Sequence, residues 1–308
     1  MMKNRKRLFL GIVIMVMLVL VEIIIFRKQM ERENYKYNIS IVVYDEGKNW
    51  DNLLAGANLA TEGRNAEINM VKMSEDAGAE EQKELISRAI ANGVDGVLVA
   101  ACDSYGFGDY FEDKEVNSKV TFIGNGTEDN IPCISADNYK MGKEIAKIIM
   151  GNESPDASIA LVCFDRNKKN VELRKNGVID AIHEIDENRE VIVWENGEEL
   201  ASQPADVVVL LYDEDIENIA SAVTASNSKA KMYAIGNSDR AVYLLDSKKL
   251  EYLVYPDEFG MGYLGVKCIL NDSNYDPNRS ENYIKYKVVM RDDLYSGENE
   301  KMLFPFVK

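Results

Sequence analysis

Residues 79–104 read AEEQKELISRAIANGVDGVLVAACDS. In the first half, Leu85, Ile86, Ala89 and Ile90 stand at helical spacing, which predicts an amphipathic helix over 79–92. Asn92-Gly93 ends it, because both residues tolerate the left-handed conformation of a helix C-terminus. Residues 94–101 are then apolar except for Asp95. A strand that apolar is buried on both faces, as in a parallel sheet with helices on each side. The run stops at Asp103. In open α/β sheets ligands bind just beyond the carboxyl ends of the strands, so Asp103 is either a ligand contact or a cap on the segment that follows.

The same alternation extends in both directions. Strand-like runs lie at 39–44, 67–73, 94–101, 119–124 and 133–136, with helical runs at 52–64 and 79–92 between them. Alternating β and α at this spacing predicts a parallel sheet wrapped by helices. The pattern then restarts. Asp137 can cap a helix over 138–150 whose Met141, Ile145, Ile148 and Ile149 share one face. Strands at 158–164, 190–195, 206–212 and 231–235 and helices at 171–185 and 213–225 complete a second unit. VDGVLVAACDS in the first unit is echoed by ADVVVLLYDED in the second, which places Asp103 and Asp213 facing each other across a cleft. Past Leu253, Phe259, Gly262, Tyr263, Val266, Ile269 and Leu270 keep helical spacing. The closing runs NYIKYKVVMRDDLY and LFPFVK read as strand-like, a tail packed back on the body.

The N-terminus differs in kind. Residues 1–7 carry Lys3, Arg5, Lys6 and Arg7, and residues 8–26 are apolar except for Glu22, long enough for a helix to cross a bilayer. A cleaved signal peptide would have a shorter core and a small-residue cleavage site, and FRKQMEREN supplies none. The expectation is an uncleaved single-pass anchor at the cell membrane, with 1–7 in the cytoplasm, 27–37 as a polar tether and the main body outside. Glu22 either reaches the interface or meets a polar group on a partner's helix, since intramembrane carboxylates tend to be functional.

The totals bound the function. At 308 residues the chain has room for two lobes. Its formal net charge of −16 argues against nucleic acid and anionic membrane surfaces as partners. His183, the one histidine, sits in a helical run, and Cys102, Cys133, Cys163 and Cys268 show no metal spacing. No metal site is expected.

Four segments resemble the type I periplasmic binding proteins, the superfamily of ribose- and galactose-type receptors and of LacI-type sensory domains. ISIVVYDEGKNWDNLLAGAN is similar to the first strand, pocket loop and first helix. GVDGVLVAACDS is similar to the strand ending in a sugar-binding Asp, and CISADNYKMGKEIA to the crossover between lobes. YAIGNSDRAVYLL with LVYPDEFGMGYLGVKCIL is similar to the late strand and last crossover. The resemblance spans about 38–290. It implies two Rossmann-like α/β lobes joined by a multi-crossover hinge, with 38–136 plus about 257–285 in one lobe and 137–256 plus about 286–308 in the other.

The resemblance also implies roles. Trp50 falls where such receptors stack an aromatic on a sugar ring, and Asp103 where a carboxylate takes sugar hydroxyls. Asp137 lies at the crossover near the pocket. Tyr212 and Asp213 match a polar contact of the second lobe, Asn237 a carboxylate or amide after the late strand, and Asp257 a polar contact after the last one. Arg166 and Lys168 would supply cationic donors. A pocket lined by Asp45, Asp103, Asp213 and Asp257 would suit a polyol, an amino sugar or a cationic molecule. The chain departs from the pattern at Glu172, where relatives often place an Arg, with Arg174 nearby in a structural role. DEGKNWD lacks the Asn-Pro-aromatic signature, and SEDAGAEE lacks the Asn pair.

The expectation that follows is a membrane-tethered receptor closing on a small ligand, a sugar first, with no cofactor. Its partner would be a membrane sensor kinase or an ABC permease. The alternative is a fold kept for protein contact after losing its ligand. A repressor is excluded, because an apolar run stands where a helix-turn-helix would be. An enzyme would rest on paired carboxylates alone.

Overall fold

The computed structural model describes residues 15, 17–23, 35–44, 50–74, 77–127, 131–164, 167–270 and 283–303. Two α/β lobes follow from two sheets. The first contains β1 (Tyr37–Val43), β2 (Ala66–Lys72), β3 (Gly96–Val99), β4 (Val120–Ile123) and β5 (Cys133–Ile134), all parallel in the order β2-β1-β3-β4-β5. The second contains β6 (Ile159–Val162), β7 (Val191–Trp194), β8 (Val207–Leu210), β9 (Lys231–Ile235), β10 (Tyr252–Pro256) and β11 (Tyr286–Met290). Its order is β11-β10-β9-β8-β6-β7, with only β11 antiparallel. The helices are α1 (Asp51–Ala60), α2 (Ala79–Ala91), α3 (Lys114–Lys119), α4 (Asn138–Asn152), α5 (Lys169–Ile185), α6 (Gly197–Ser202), α7 (Ile216–Ser226), α8 (Asp239–Asp246), α9 (Glu258–Ile269) and α10 (Gly297–Leu303).

Residues 79–104 contain α2 and β3, and all four residues of β3 are buried. Each lobe also carries one helix pair packed backbone to backbone. A Cβ on Gly142 of α4 would meet the Arg174 carbonyl oxygen of α5 at 2.1 Å, and one on Gly262 of α9 would meet that of Leu53 in α1 at 2.0 Å. Only glycine allows that approach, and the α4–α5 pair fixes where the first turns of α5 point.

Three strands of chain pass side by side between the lobes. Ala136 bridges Ile284, the Ile284 N–H donates to Ser135 at 3.0 Å, and the Asp257 N–H donates to the Lys285 carbonyl at 3.0 Å. Short crossing segments of this kind are where a two-lobed protein hinges.

Several expectations change. The segment near 27–37 is tied down at its end: Tyr37 belongs to β1, the Tyr35 hydroxyl donates to Asp95 at 2.7 Å, and Lys36 pairs with Glu67. Leu303 ends a helix instead of opening a strand, and 304–308 lie outside the described residues. That helix still packs back, as the Asn52 amide donates to the Met302 carbonyl at 3.0 Å. Among the described residues, no helix is long and apolar enough to cross a membrane. Met15 and 17–23, Glu22 included, are helical and exposed. The rest of 8–26 lies outside the described residues.

Candidate functional site

Both sheets reverse their winding at an inner strand pair, β1/β3 in one and β6/β8 in the other, and such switch points open a crevice at the carboxyl ends of strands. The two crevices face each other and enclose a cavity of about 40 Å³, room for about three waters. Tyr44 after β1, Trp50 ahead of α1, Ala100 after β3 and Asn125 after β4 form one side. Asn170 and Arg174 of α5, Tyr212 and Asp213 after β8, and Asn237 after β9 form the other. Asn138 and Glu258, at the starts of α4 and α9, stand at the hinge.

Trp50 is 3% exposed and packs edge-on against Tyr44 at 5.3 Å, its indole N–H donating to the Tyr44 carbonyl at 3.2 Å. Arg174 donates from Nε to the Asn138 side-chain oxygen at 2.8 Å and from Nη1 to the Leu211 carbonyl at 2.9 Å. Burial lowers its pKa, while Asp213, Tyr212 and Tyr44 favour its charged form. Asp213 accepts from the backbone N–H groups of Asn237 at 2.8 Å and Ser238 at 2.6 Å, which ties the β8 and β9 loops together. Gly236 is required there, because a Cβ would lie 2.2 Å from the Asp213 carboxyl carbon.

Asn170 is the residue this geometry leaves incomplete. It is 7% exposed and lines the cavity, yet its side-chain oxygen has no hydrogen-bond partner among the described residues. A buried acceptor without a donor is rare enough in folded proteins to require an explanation.

The lobes also touch directly. Ser104 donates from its backbone to Asn167 at 2.7 Å, and its hydroxyl accepts from the Lys169 N–H at 2.9 Å. The Tyr105 hydroxyl donates to Glu172 at 2.8 Å, so the acidic residue at the position of the resemblance's Arg closes the cleft. Lys168, Glu214, Tyr212 and Tyr44 cluster at the mouth, where the Tyr212 and Tyr44 hydroxyls lie 2.6 Å apart.

Of the aromatic, acidic and amide residues assigned ligand contacts from the sequence, four stand in the cavity wall: Trp50, Tyr212, Asp213 and Asn237. Three do not, for one physical reason. Asp103 accepts from the backbone N–H groups of Tyr105 and Gly106 at 2.7 and 3.0 Å, Asp137 caps α4 at the Lys140 N–H, and Asp257 caps α9 at the Gly260 N–H. A capping carboxylate turns back onto its own helix or turn, so the residue one place on, Asn138 or Glu258, faces the cavity instead. Asp103 thus binds its own turn and does not line the cavity that Asp213 lines. Asp45 and Arg166 lie outside the described residues. Tyr44, Asn125, Asn138, Asn170 and Glu258 were not singled out from the sequence. The only local signal for them was position, just past a strand end or at a helix start.

Among the described residues, no cluster of His, Cys, Asp or Glu could hold a metal. His183 lies at 3.1 Å from the Arg189 carbonyl on an exposed helix face. Desolvation pushes the Cys102 thiol up to about 11 and that of Cys133 to about 12, and none of the four cysteines is in a disulfide.

Comparison with curated proteins gives no match. Among solved structures, the chain is similar to a carbohydrate-transporter solute-binding protein from Agrobacterium radiobacter in complex with D-arabinose. The TM-score is 0.74 at 16% identity, over 88% of this chain and 99% of that one. It is also similar to an ABC-transporter solute-binding protein from Agrobacterium vitis with bound D-fucose, with TM-score 0.73 at 16% identity over 87% and 100%. A third similar structure is the XylFII–LytSN complex, with TM-score 0.65 at 19% identity over 83% and 99%. These likenesses establish the shared fold. The family profile described as a periplasmic binding protein domain matches residues 39–271, most of the chain, and the chain belongs to that family, one of binding proteins and not of enzymes.

Proposed function

We propose that this protein is an extracytoplasmic receptor, tethered by 8–26, which closes its two lobes around a small polyhydroxylated ligand, a sugar or polyol. The observation that carries the reading is the side-chain oxygen of Asn170, a residue of the cavity wall, which has no hydrogen-bond partner among the described residues. It is an acceptor awaiting a hydroxyl donor. Around it stand the groups such a ligand uses: the Trp50 ring for a sugar's C–H face, and Arg174, Asp213 and Asn237 for directional, partly charge-assisted hydrogen bonds. The D-arabinose and D-fucose complexes of similar proteins support the same class. Closure then transmits occupancy to a membrane partner, a sensor kinase or an ABC permease, by favouring one of two lobe arrangements. The similarity to the XylFII–LytSN complex, an assembly of two proteins, supports a protein partner.

The small volume of the cavity favours a second reading, in which the lobes stay shut and the fold serves protein contact alone. Thermal melting of the full chain in detergent with D-arabinose, D-fucose or D-allose decides between them. A ligand at a hundredfold excess over its Kd stabilises by about 2.7 kcal/mol, a rise of roughly 5–10 °C for a protein of this size. A flat response to every sugar would leave the protein-contact reading standing.

A further inference from the structure

Lys168 stands in the loop ahead of α5 and is 3% exposed. Its ammonium lies 4.4 Å from the centroid of the Tyr44 ring and 4.2 Å from that of Tyr212, and so is held between aromatic faces contributed by different lobes. Glu214 accepts from it at 2.9 and 3.0 Å, and the Tyr212 hydroxyl at 3.0 Å. Cations are attracted to ring faces, and more strongly where water is excluded. Tyr44 and Tyr212 line the inner cavity, whereas Tyr44, Lys168 and Glu214 line an outer chamber of about 410 Å³. The cluster is therefore the wall between the two spaces.

We propose that Lys168 acts as an internal stand-in for the ligand: its ammonium draws the lobes shut over an empty cleft, and a ligand must expel it from between Tyr44 and Tyr212 to occupy that cleft. Only the expulsion step rests on the sugar reading. The cage is complete only when β1 and β8 bring their ends together, so Lys168 stabilises the closed arrangement and not the open one. The inner cavity, with room for about three waters, is too small for a sugar ring until the wall yields and the outer chamber joins it. Lys168 thereby sets ligand affinity by competition, since apparent affinity falls with the fraction of molecules able to bind.

The test uses full-length protein carrying Trp194→Phe, which leaves Trp50 in the cleft as the single tryptophan. Acrylamide quenching of Trp50 without sugar should rise several-fold on Lys168→Ala. It should stay low in Lys168→Arg, because a guanidinium also stacks on aromatic faces. The double variant Lys168→Met with Glu214→Gln removes both charges together and should open the cleft as well, which covers the case in which a bare Glu214 unfolds the single variant. Quenching unchanged in both the alanine and the double variants would overturn the proposal. With D-arabinose added, Lys168→Ala should bind roughly tenfold tighter than its parent. Weaker binding would make Lys168 a ligand contact and overturn the proposal too. If no sugar binds either protein while Lys168→Ala still uncovers Trp50, the internal latch stands and the sugar reading falls.

Discussion

Replacing Asn170 with leucine separates a ligand contact from a structural one, because the two roles predict opposite signs. The side-chain oxygen is buried and makes no hydrogen bond among the described residues, while the backbone N–H that donates to Asn125 at 3.3 Å survives the substitution. An unpaired buried polar group costs about 1–3 kcal/mol, and a similarly sized apolar side chain recovers most of that. Allowing for imperfect packing, the empty protein should gain about 1 kcal/mol, a rise of about 2–4 °C in Tm. The same change deletes an acceptor for a ligand hydroxyl, worth about 1–1.5 kcal/mol net, or roughly a tenfold rise in Kd. Differential scanning fluorimetry of parent and variant, with and without D-arabinose, reads both numbers. A fall of several degrees in the empty protein, or an undiminished sugar response in the variant, would refute the assignment of Asn170 to ligand recognition.

Two further outcomes follow from the hydrogen bonds. Arg174→Ala leaves the Asn138 oxygen and the Leu211 carbonyl unpartnered in the core, and each bond to a charged donor is worth about 1.5–3 kcal/mol. Urea unfolding should therefore show a loss of about 3 kcal/mol or more, and a loss under about 0.5 kcal/mol would contradict the geometry. Asp206 accepts from the N–H and hydroxyl of Ser158 at 2.9 and 2.8 Å, and these bonds hold its pKa below the usual 3.8. A carboxylate depressed by folding stabilises the native state above its unfolded pKa and loses that contribution as the pH falls through its folded one. Wild type should thus exceed Asp206→Ala in stability at neutral pH, with the gap closing below about pH 4. A gap that persists into acid would assign the effect to something other than the charge.

The cleft illustrates how sequence position and three-dimensional role come apart. Asp103, Asp137 and Asp257 all sit where a strand or crossover gives way to a turn or helix, the place where ligands bind in such folds. Each spends its carboxylate on nearby backbone N–H groups. Asp213 also binds backbone N–H groups, yet those belong to a loop 24 and 25 positions away, and the residue remains in the cavity wall. Local sequence does not distinguish these cases, because a capping carboxylate and a ligand-binding one require the same residue at the same strand end.

The order of strands and helices is legible in the chain, since apolar runs and helical spacing are local signals that survive any arrangement of the lobes. The helix over 79–91 and the buried strand 96–99 were legible for that reason, as were Met141, Ile145 and Ile149 on the buried face of α4. Tertiary structure alone decided which side chains converge. Tyr44 and the stretch that carries Lys168, Asn170 and Arg174 lie more than 120 positions apart. They meet because glycine-spaced helices and three crossing segments bring two separate sheet edges face to face, and no periodicity in the chain encodes that meeting.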